Sequence, residues 1–461
     1  MYIEQLYTGC LSEAAYYIES DGEAAIIDPL RETDPYITLA NNRNAKIKYV
    51  FETHFHADFV SGHIDLARKS GASIVFGPTA QTTYEAVIAK DEEIFAIGKI
   101  KIKVLHTPGH TMESACFLLI DENGNNNAVF TGDTLFVGDV GRPDLAIKSD
   151  LTIDDLAGML YDSLNSKIKT LADDVIVYPA HGAGSSCGKN IGKETFSTIG
   201  IQKKLNYAMQ PMSKQEFIRA VTDGLAAAPN YFAMDAKLNK EGYLSIDEVI
   251  RRNSKALSVE EFESEISHGA LVLDVRTPDD FENGYVPSAI NIGLNGQYAP
   301  WVGALLDAKI PLILVTDEGK AEEAVLRLAR VGYENVKGYL KGGISTWKNA
   351  GKKLETIDSI SAQEFVGKIN SSSNIIDVRK LGEVENGMIE NAQHICLSKF
   401  QNEMHTLDKN KHYFVHCAGG YRSMMAVSIM KRNGFNKITN VAGGMGKIQE
   451  TGIKLVQPLT V

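Results

Sequence analysis

The first half of the chain sets short apolar runs against polar connections: EAAIID, KYVFETH, KIKVLHT, ACFLLI and NAVFTGD, between residues 23 and 133. Runs of this length, rich in Val, Ile and Phe, predict strands. The Asn123-Gly124 turn between two of them predicts an antiparallel hairpin. The second half alternates apolar strands (LVLDV, PLILVT, IIDV, YFVHC) with amphipathic helical stretches such as AEEAVLRLARVG and MMAVSIMKRNG. That alternation predicts α/β units around parallel sheets, with functional loops at the strand carboxyl ends.

The second half also repeats itself. LVLDVRTPDDFENGYVPSAINI, from Leu271, is echoed by IIDVRKLGEVENGMIENAQHI, from Ile375, and Gly342-Gly343 by Gly443-Gly444, each about a hundred residues further on. Two copies of one α/β domain are therefore expected over 255–355 and 356–461, behind a first domain over 1–235 that mixes helices with antiparallel strands. The stretch 236–254 carries charges of both signs and reads as a linker. A length of 461 residues also asks for about three domains.

With 44% hydrophobic and 23% charged residues, the composition excludes a mainly disordered, collagen-like or coiled-coil chain. A net charge of -11 argues against binding to nucleic acid or to anionic membrane. Five scattered cysteines are too few for a disulfide framework, which suits a reducing compartment. The first twenty residues show no signal-peptide pattern, and no run approaches the roughly 18 apolar residues of a membrane span, so a soluble, cytoplasmic protein is expected.

Chemistry enters at Thr53-His54-Phe55-His56-Ala57-Asp58-Phe59, on the loop leaving the run KYVFE. Imidazoles and a carboxylate gathered behind a rigid strand make good ligands for iron, zinc or nickel. His110 in HTPGHT, Asp133 in FTGDT and His181 in YPAHG follow, each after another apolar run. Any one alone reads as a surface-loop residue; four such elements in this order point to a metal.

The pattern resembles the metallo-β-lactamase superfamily, whose HxHxDH signature is followed by a His, an Asp and a final His. Phe59 stands where the signature has its last His. A phenyl ring donates no lone pair, so a two-metal centre activating a bridging water is disfavoured. Within the superfamily, THFHAD, HTPGHT, TGDTLFVGDVGRPDL and YPAHG look most like the persulfide dioxygenases. That resemblance implies an αββα sandwich holding one Fe(II) per chain on His54, His110 and Asp133, a set that also matches the facial triad of non-haem iron oxygenases. It implies that His56, Asp58 and His181 orient those ligands or hold a bound water. Arg142 and Asp144 of GRPD fit a family pattern near the mouth of the site, a surface salt bridge being the alternative, and Cys187 in HGAGSSCGK is a candidate sulfur relay.

The second copy carries Val415-His416-Cys417-Ala418-Gly419-Gly420-Tyr421-Arg422-Ser423 between an apolar strand and a helical run. Such a loop curls its N–H groups toward one anion, and the helix N-terminus and Arg422 add positive charge, all favouring a thiolate at Cys417. DVR, HCAGGYRS and NVAGGM resemble the rhodanese family over about residues 358–461, which makes Cys417 the persulfide-carrying nucleophile. The six residues from Cys417 to Arg422 are the family's size for a sulfur atom, one fewer than in related phosphatases. In the first copy Asp317 falls opposite Cys417 and Glu322 opposite Arg422. Two acids there cannot carry sulfane sulfur and repel an anionic persulfide, so that copy reads as an inactive spacer. A dimerisation role for it, and so a homo-oligomer, is the competing reading. Cys116 and Cys396 lie in apolar runs and read as core, while Cys10 is undecided.

Together the resemblances imply a persulfide dioxygenase and sulfurtransferase that detoxifies sulfide. The iron site would oxidise the outer sulfur of a low-molecular-weight thiol persulfide with O₂ to sulfite, and Cys417 would pass sulfane sulfur to sulfite as thiosulfate, or run in reverse. Two other classes compete: a glyoxalase-II-like zinc thioester hydrolase fused to a sulfurtransferase, and a non-oxidative sulfur carrier. Glutathione, coenzyme A, bacillithiol and cysteine all remain open as the thiol.

Overall fold

Along strand Glu13–Ser20, Ala14, Tyr16 and Ile18 point to one face and Ala15 and Tyr17 to the other, and all five are buried. A strand apolar on both faces needs cover on both. It lies in a six-stranded sheet that follows chain order, Tyr2–Thr8, Glu13–Ser20, Glu23–Ile27, Lys46–Glu52, Ser73–Phe76 and Val87–Ile88. The first three pair antiparallel and the others join in parallel. A second sheet runs Ser197–Thr198, Ile176–Pro179, Asn126–Gly132, Ala115–Ile120, Ile100–His106 and Ile94–Ile97. Tyr16, Phe51, Phe117 and Phe130 meet between the sheets, each burial contributing about 1.5–3 kcal/mol. Outside the first sheet, Tyr17 and Ile26 pack with Tyr36 of helix Asp34–Asn42 and Leu66 of helix His63–Ser70. Outside the second, Val129 and Val177 pack with Leu160 of helix Ile153–Ser163 and Phe217 of helix Lys214–Thr222. This is the expected αββα sandwich. Strands Ala115–Ile120 and Asn126–Gly132 form the expected hairpin, its turn closed by Asp121 Oδ1, which accepts from the Asn123 and Asn125 N–H groups.

The computed structural model describes residues 1–145 and 151–457, in two compact units: Met1–Val249 with Leu328–Gly332, and Ile250–Arg327 with Tyr333–Val461. The expected linker, 236–254, is mostly helix instead, within Phe232–Glu241 and Ile246–Asn253, and the first unit runs through it to Val249. Asn239 is fully buried, and the Ile246 N–H donates to Asp65 Oδ2 at 2.7 Å. The mixed charges belong to the helices' solvent faces, which hid these contacts from a reading of composition.

The second unit holds two five-stranded parallel sheets. One runs Ala256–Leu257, Val336–Leu340, Leu312–Val315, Leu271–Asp274, Ile290–Asn291; the other Asp358–Ile360, Ile438–Val441, Tyr413–His416, Asn374–Asp377, Ala392–His394. In both the strand order is first, fifth, fourth, second, third, as the sequence repeat requires. The shared Asp-Val-Arg motif is a structural staple. Arg276 clasps Asp274 and donates to the Gly284 carbonyl, and Arg379 does the same with Asp377 and Gly387. Among the described residues no helix is long and apolar enough to cross a membrane.

Candidate metal centre and sulfur-transfer loop

The loops leaving strands Lys46–Glu52, Ile100–His106, Asn126–Gly132 and Ile176–Pro179 deliver His54, His110, Asp133 and His181 to one place. His110 Nε2 lies 3.4 Å and His54 Nε2 3.9 Å from Asp133 Oδ2, and the three buried residues bring ligand atoms within 4.8 Å of one another. Their hydrogen bonds fix which nitrogen is free. His110 Nδ1 sits 2.8 Å from the Arg142 carbonyl and His181 Nδ1 3.1 Å from the Ser12 carbonyl, so both Nδ1 atoms carry the proton. The Thr53 hydroxyl donates to Asp28, so it can only accept from His54 Nδ1, 3.0 Å away. Each Nε2 therefore offers a lone pair to the centre. His54 Nε2 and both Asp133 carboxylate oxygens are buried with no hydrogen-bond partner. Orphaned groups of this kind cost about 1–3 kcal/mol each, so the donor set fits a bound cation.

Around the triad, His181 Nε2 lies 3.4 Å from Asp58 and 3.5 Å from Asp133. Cys187 joins Asp133 and His181 in another group with ligand atoms within 4.8 Å; burial, then Asp58 and Asp133, push its pKa up. His56, Asp58 and His181 form a third such group. His56 Nε2 is 3.1 Å from Asp28 and 3.8 Å from Glu52. Burial pulls the His56 pKa down, but these carboxylates and Asp58 outweigh it and hold it at about 10. Phe59 is fully buried, its ring 4.3 Å from that of His56. Arg142 is no surface salt bridge: it is buried, grips Asp144 at 2.6 and 2.7 Å, and its carbonyl orients His110. Two contributors escape a reading of the sequence. Asp28 closes the run EAAIID, the one signal it carries; Asn239 has none, yet it accepts from Ser61 N–H and donates to the His56 and Phe59 carbonyls.

In the second unit, strand Tyr413–His416 and helix Tyr421–Arg432 flank the Cys417 loop. Gly420, at φ +104°, turns its N–H onto Cys417 Sγ at 3.1 Å, the inward curl that Gly419 and Gly420 permit, in the loop that also holds Ala418. The thiol is buried and lies 3.7 Å from Ser423 Oγ, which is itself bonded to Asn440. Met445 N–H donates to the Cys417 carbonyl, and a Cβ on Gly444 would come within 2.4 Å of that oxygen, which is why NVAGGM needs a glycine there. Arg422 is not a free charge as expected; Glu383 takes it in a fork of 2.6 and 2.7 Å. The bond to Arg422 holds Glu383 down at about 2. Cys116 is core, but Cys396 is only half-buried, 3.3 Å from Ser398 Oγ, and so is Cys10.

Residues 8–181 match the metallo-beta-lactamase superfamily, and 258–350 and 361–451 each match the rhodanese-like domain. The probable hydroxyacylglutathione hydrolase glo2 of Schizosaccharomyces pombe is 31% identical over 210 residues, 44% of this chain and 76% of that protein. A second probable hydroxyacylglutathione hydrolase of that yeast is 30% identical over 181 residues, 38% of this chain and 66% of that protein. The crystal structure of a metallo-beta-lactamase from Staphylococcus aureus covers 74% of this chain and 98% of its own, at 32% identity and a TM-score of 0.65.

Proposed function

Since the chain belongs to the metallo-beta-lactamase superfamily through its first domain and to the rhodanese-like family through the two that follow, we propose that it is an iron-dependent persulfide dioxygenase joined to a sulfurtransferase. The observation that carries this reading is Phe59, whose buried hydrocarbon ring stands in place of a ligand for a second metal, beside a buried triad of two imidazoles and one carboxylate. Two imidazoles and a carboxylate suit Fe(II), which when bound supplies open positions and redox capacity for persulfide and dioxygen. His54, His110 and Asp133 would hold it, with Thr53 and the Arg142 carbonyl setting the imidazoles' tautomers. The overall reaction, RSSH + O₂ + H₂O → RSH + SO₃²⁻ + 2H⁺, oxidises the outer sulfur and reduces dioxygen. At the second site, sulfite attacks the outer sulfur of a Cys417 persulfide. The S–S bond breaks, thiosulfate departs and the Cys417 thiolate returns, received by the Gly420 N–H.

A second reading, thioester hydrolysis on two metals, is favoured by the additional cluster of His56, Asp58 and His181. Anaerobic reconstitution separates the two. One iron per chain, with O₂ uptake on persulfides that His54→Ala or Asp133→Ala abolishes, is the expected result. Two zincs per chain, thioester cleavage and no O₂ uptake would overturn the proposal.

A further inference from the structure

Over the Cys417 loop the second unit opens a cavity of about 790 Å³, large enough for a tripeptide-sized molecule. Both copies wall it: Asp279, Glu282, Asn295 and Gln297 come from the first, Lys380 and Arg422 from the second. The first copy also grips the loop itself. Tyr421 Oη donates to the Gly293 carbonyl at 2.6 Å, and a Cβ on Gly296 would fall 2.5 Å from the Tyr421 ring, so the ring packs directly against this backbone. Arg327 braces the same segment, donating to the carbonyls of Leu294 at 2.6 Å and Gly296 at 3.0 Å. A mere spacer has no need of such a braced wall.

The charges lining the cavity narrow what fits. Arg422 is committed to Glu383, and Glu282 accepts from Ser359 Oγ. Asp279 on the first copy's wall and Lys380 on the second's offer one carboxylate and one ammonium, with the amides of Asn295 and Gln297 beside them. An amino-acid or peptide thiol, bearing free ammonium and carboxylate groups, complements both walls. A polyphosphorylated thiol meets Asp279 and Glu282 with Lys380 as its main counter-charge, and the mismatch rejects it.

We propose that the first copy, unable to carry sulfur, is the recognition wall of the second, and that the cleft selects persulfides of amino-acid or peptide thiols over those of phosphorylated thiols. This rests on the reading of Cys417 as a sulfur carrier. The Cys417 thiolate attacks the outer sulfur of RS–SH, the S–S bond breaks, RS⁻ leaves, and Cys417 holds the persulfide.

The test uses the full chain under anaerobic conditions, so that oxidation at the metal consumes no donor. Glutathione persulfide and coenzyme A persulfide are compared as donors, with sulfite as acceptor and thiosulfate as readout. We expect kcat/KM for glutathione persulfide to exceed that for coenzyme A persulfide by about tenfold, and Asp279→Lys to cut that ratio by about tenfold. The Asn295→Ala/Gln297→Ala pair should raise KM for glutathione persulfide more than KM for thiosulfate in transfer to cyanide. Parity of the two donors in the unmodified protein, or equal effects of Asp279→Lys on both, overturns the recognition wall alone. Loss of transfer from every donor, thiosulfate included, overturns the sulfurtransferase reading and this one with it.

Discussion

At Arg422 the loop's cation is already paired. Its fork with Glu383 neutralises most of the charge that a six-residue loop ending in arginine suggests, leaving the Gly420 N–H as the donor set directly on Cys417 Sγ. The pair also makes stability depend on pH. Bonding to Arg422 holds Glu383 at about 2 in the folded chain, against an ordinary glutamate value of 4.5. A carboxyl whose pKa is lowered by folding stabilises the fold above its unfolded pKa and loses that contribution as pH falls through its folded one. Glu383 is partly solvated, so screening leaves the pair worth about 0.5–1 kcal/mol. Glu383→Gln should lower the unfolding free energy read from urea titrations by that amount at pH 7, and the gap should narrow as pH falls from 4.5 toward 2. A gap that stays constant over this range would mean the loss is one of shape and not of charge.

At the scale of elements, the helix Phe232–Glu241 shows where the sequence stops being legible. Periodicity locates the strands, the hairpin and the doubled α/β domain, because those signals are local or repeat at fixed distance. Motifs at strand ends name the metal cluster and the Cys417 loop for the same reason. Asn239 has no such signal: its three bonds reach back about 180 residues to the loop after His54, and the polar surface of its helix resembles a linker. Glu383 and the wall at residues 293–297 are equally hidden, since their roles exist only once two distant segments meet. The Asn239 contacts predict a cost. Asn239→Ala leaves Ser61 N–H and the His56 and Phe59 carbonyls without this partner in a buried place, about 2–4 kcal/mol in all. A lower urea midpoint should come with metal content below that of the unmodified chain, because the carbonyls belong to the loop that carries His54. Full stability and full metal occupancy would show that the helix merely covers the loop.

At the scale of the whole chain, the proposed chemistries matter together because the product of the first site would be the sulfur acceptor of the second. On the proposed reading, oxidation at the first domain would yield sulfite, and transfer at Cys417 would turn that sulfite into thiosulfate. One covalent chain keeps the ratio of the two sites at one to one and raises the effective concentration of the first site's product at the second, without any contact between them being required. The ordering of steps gives a prediction that neither domain could give alone. In Cys417→Ser the hydroxyl cannot hold sulfane sulfur, so O₂ uptake on a persulfide should continue while sulfite accumulates in place of thiosulfate. Adding back a chain with intact Cys417 but His54→Ala should restore thiosulfate, and more slowly than in the unmodified protein, because sulfite must then diffuse between molecules. Unchanged thiosulfate output from Cys417→Ser would mean that a thiol of the first domain, with Cys187 the one grouped with Asp133 and His181, completes the reaction by itself and that the rhodanese copies serve another substrate.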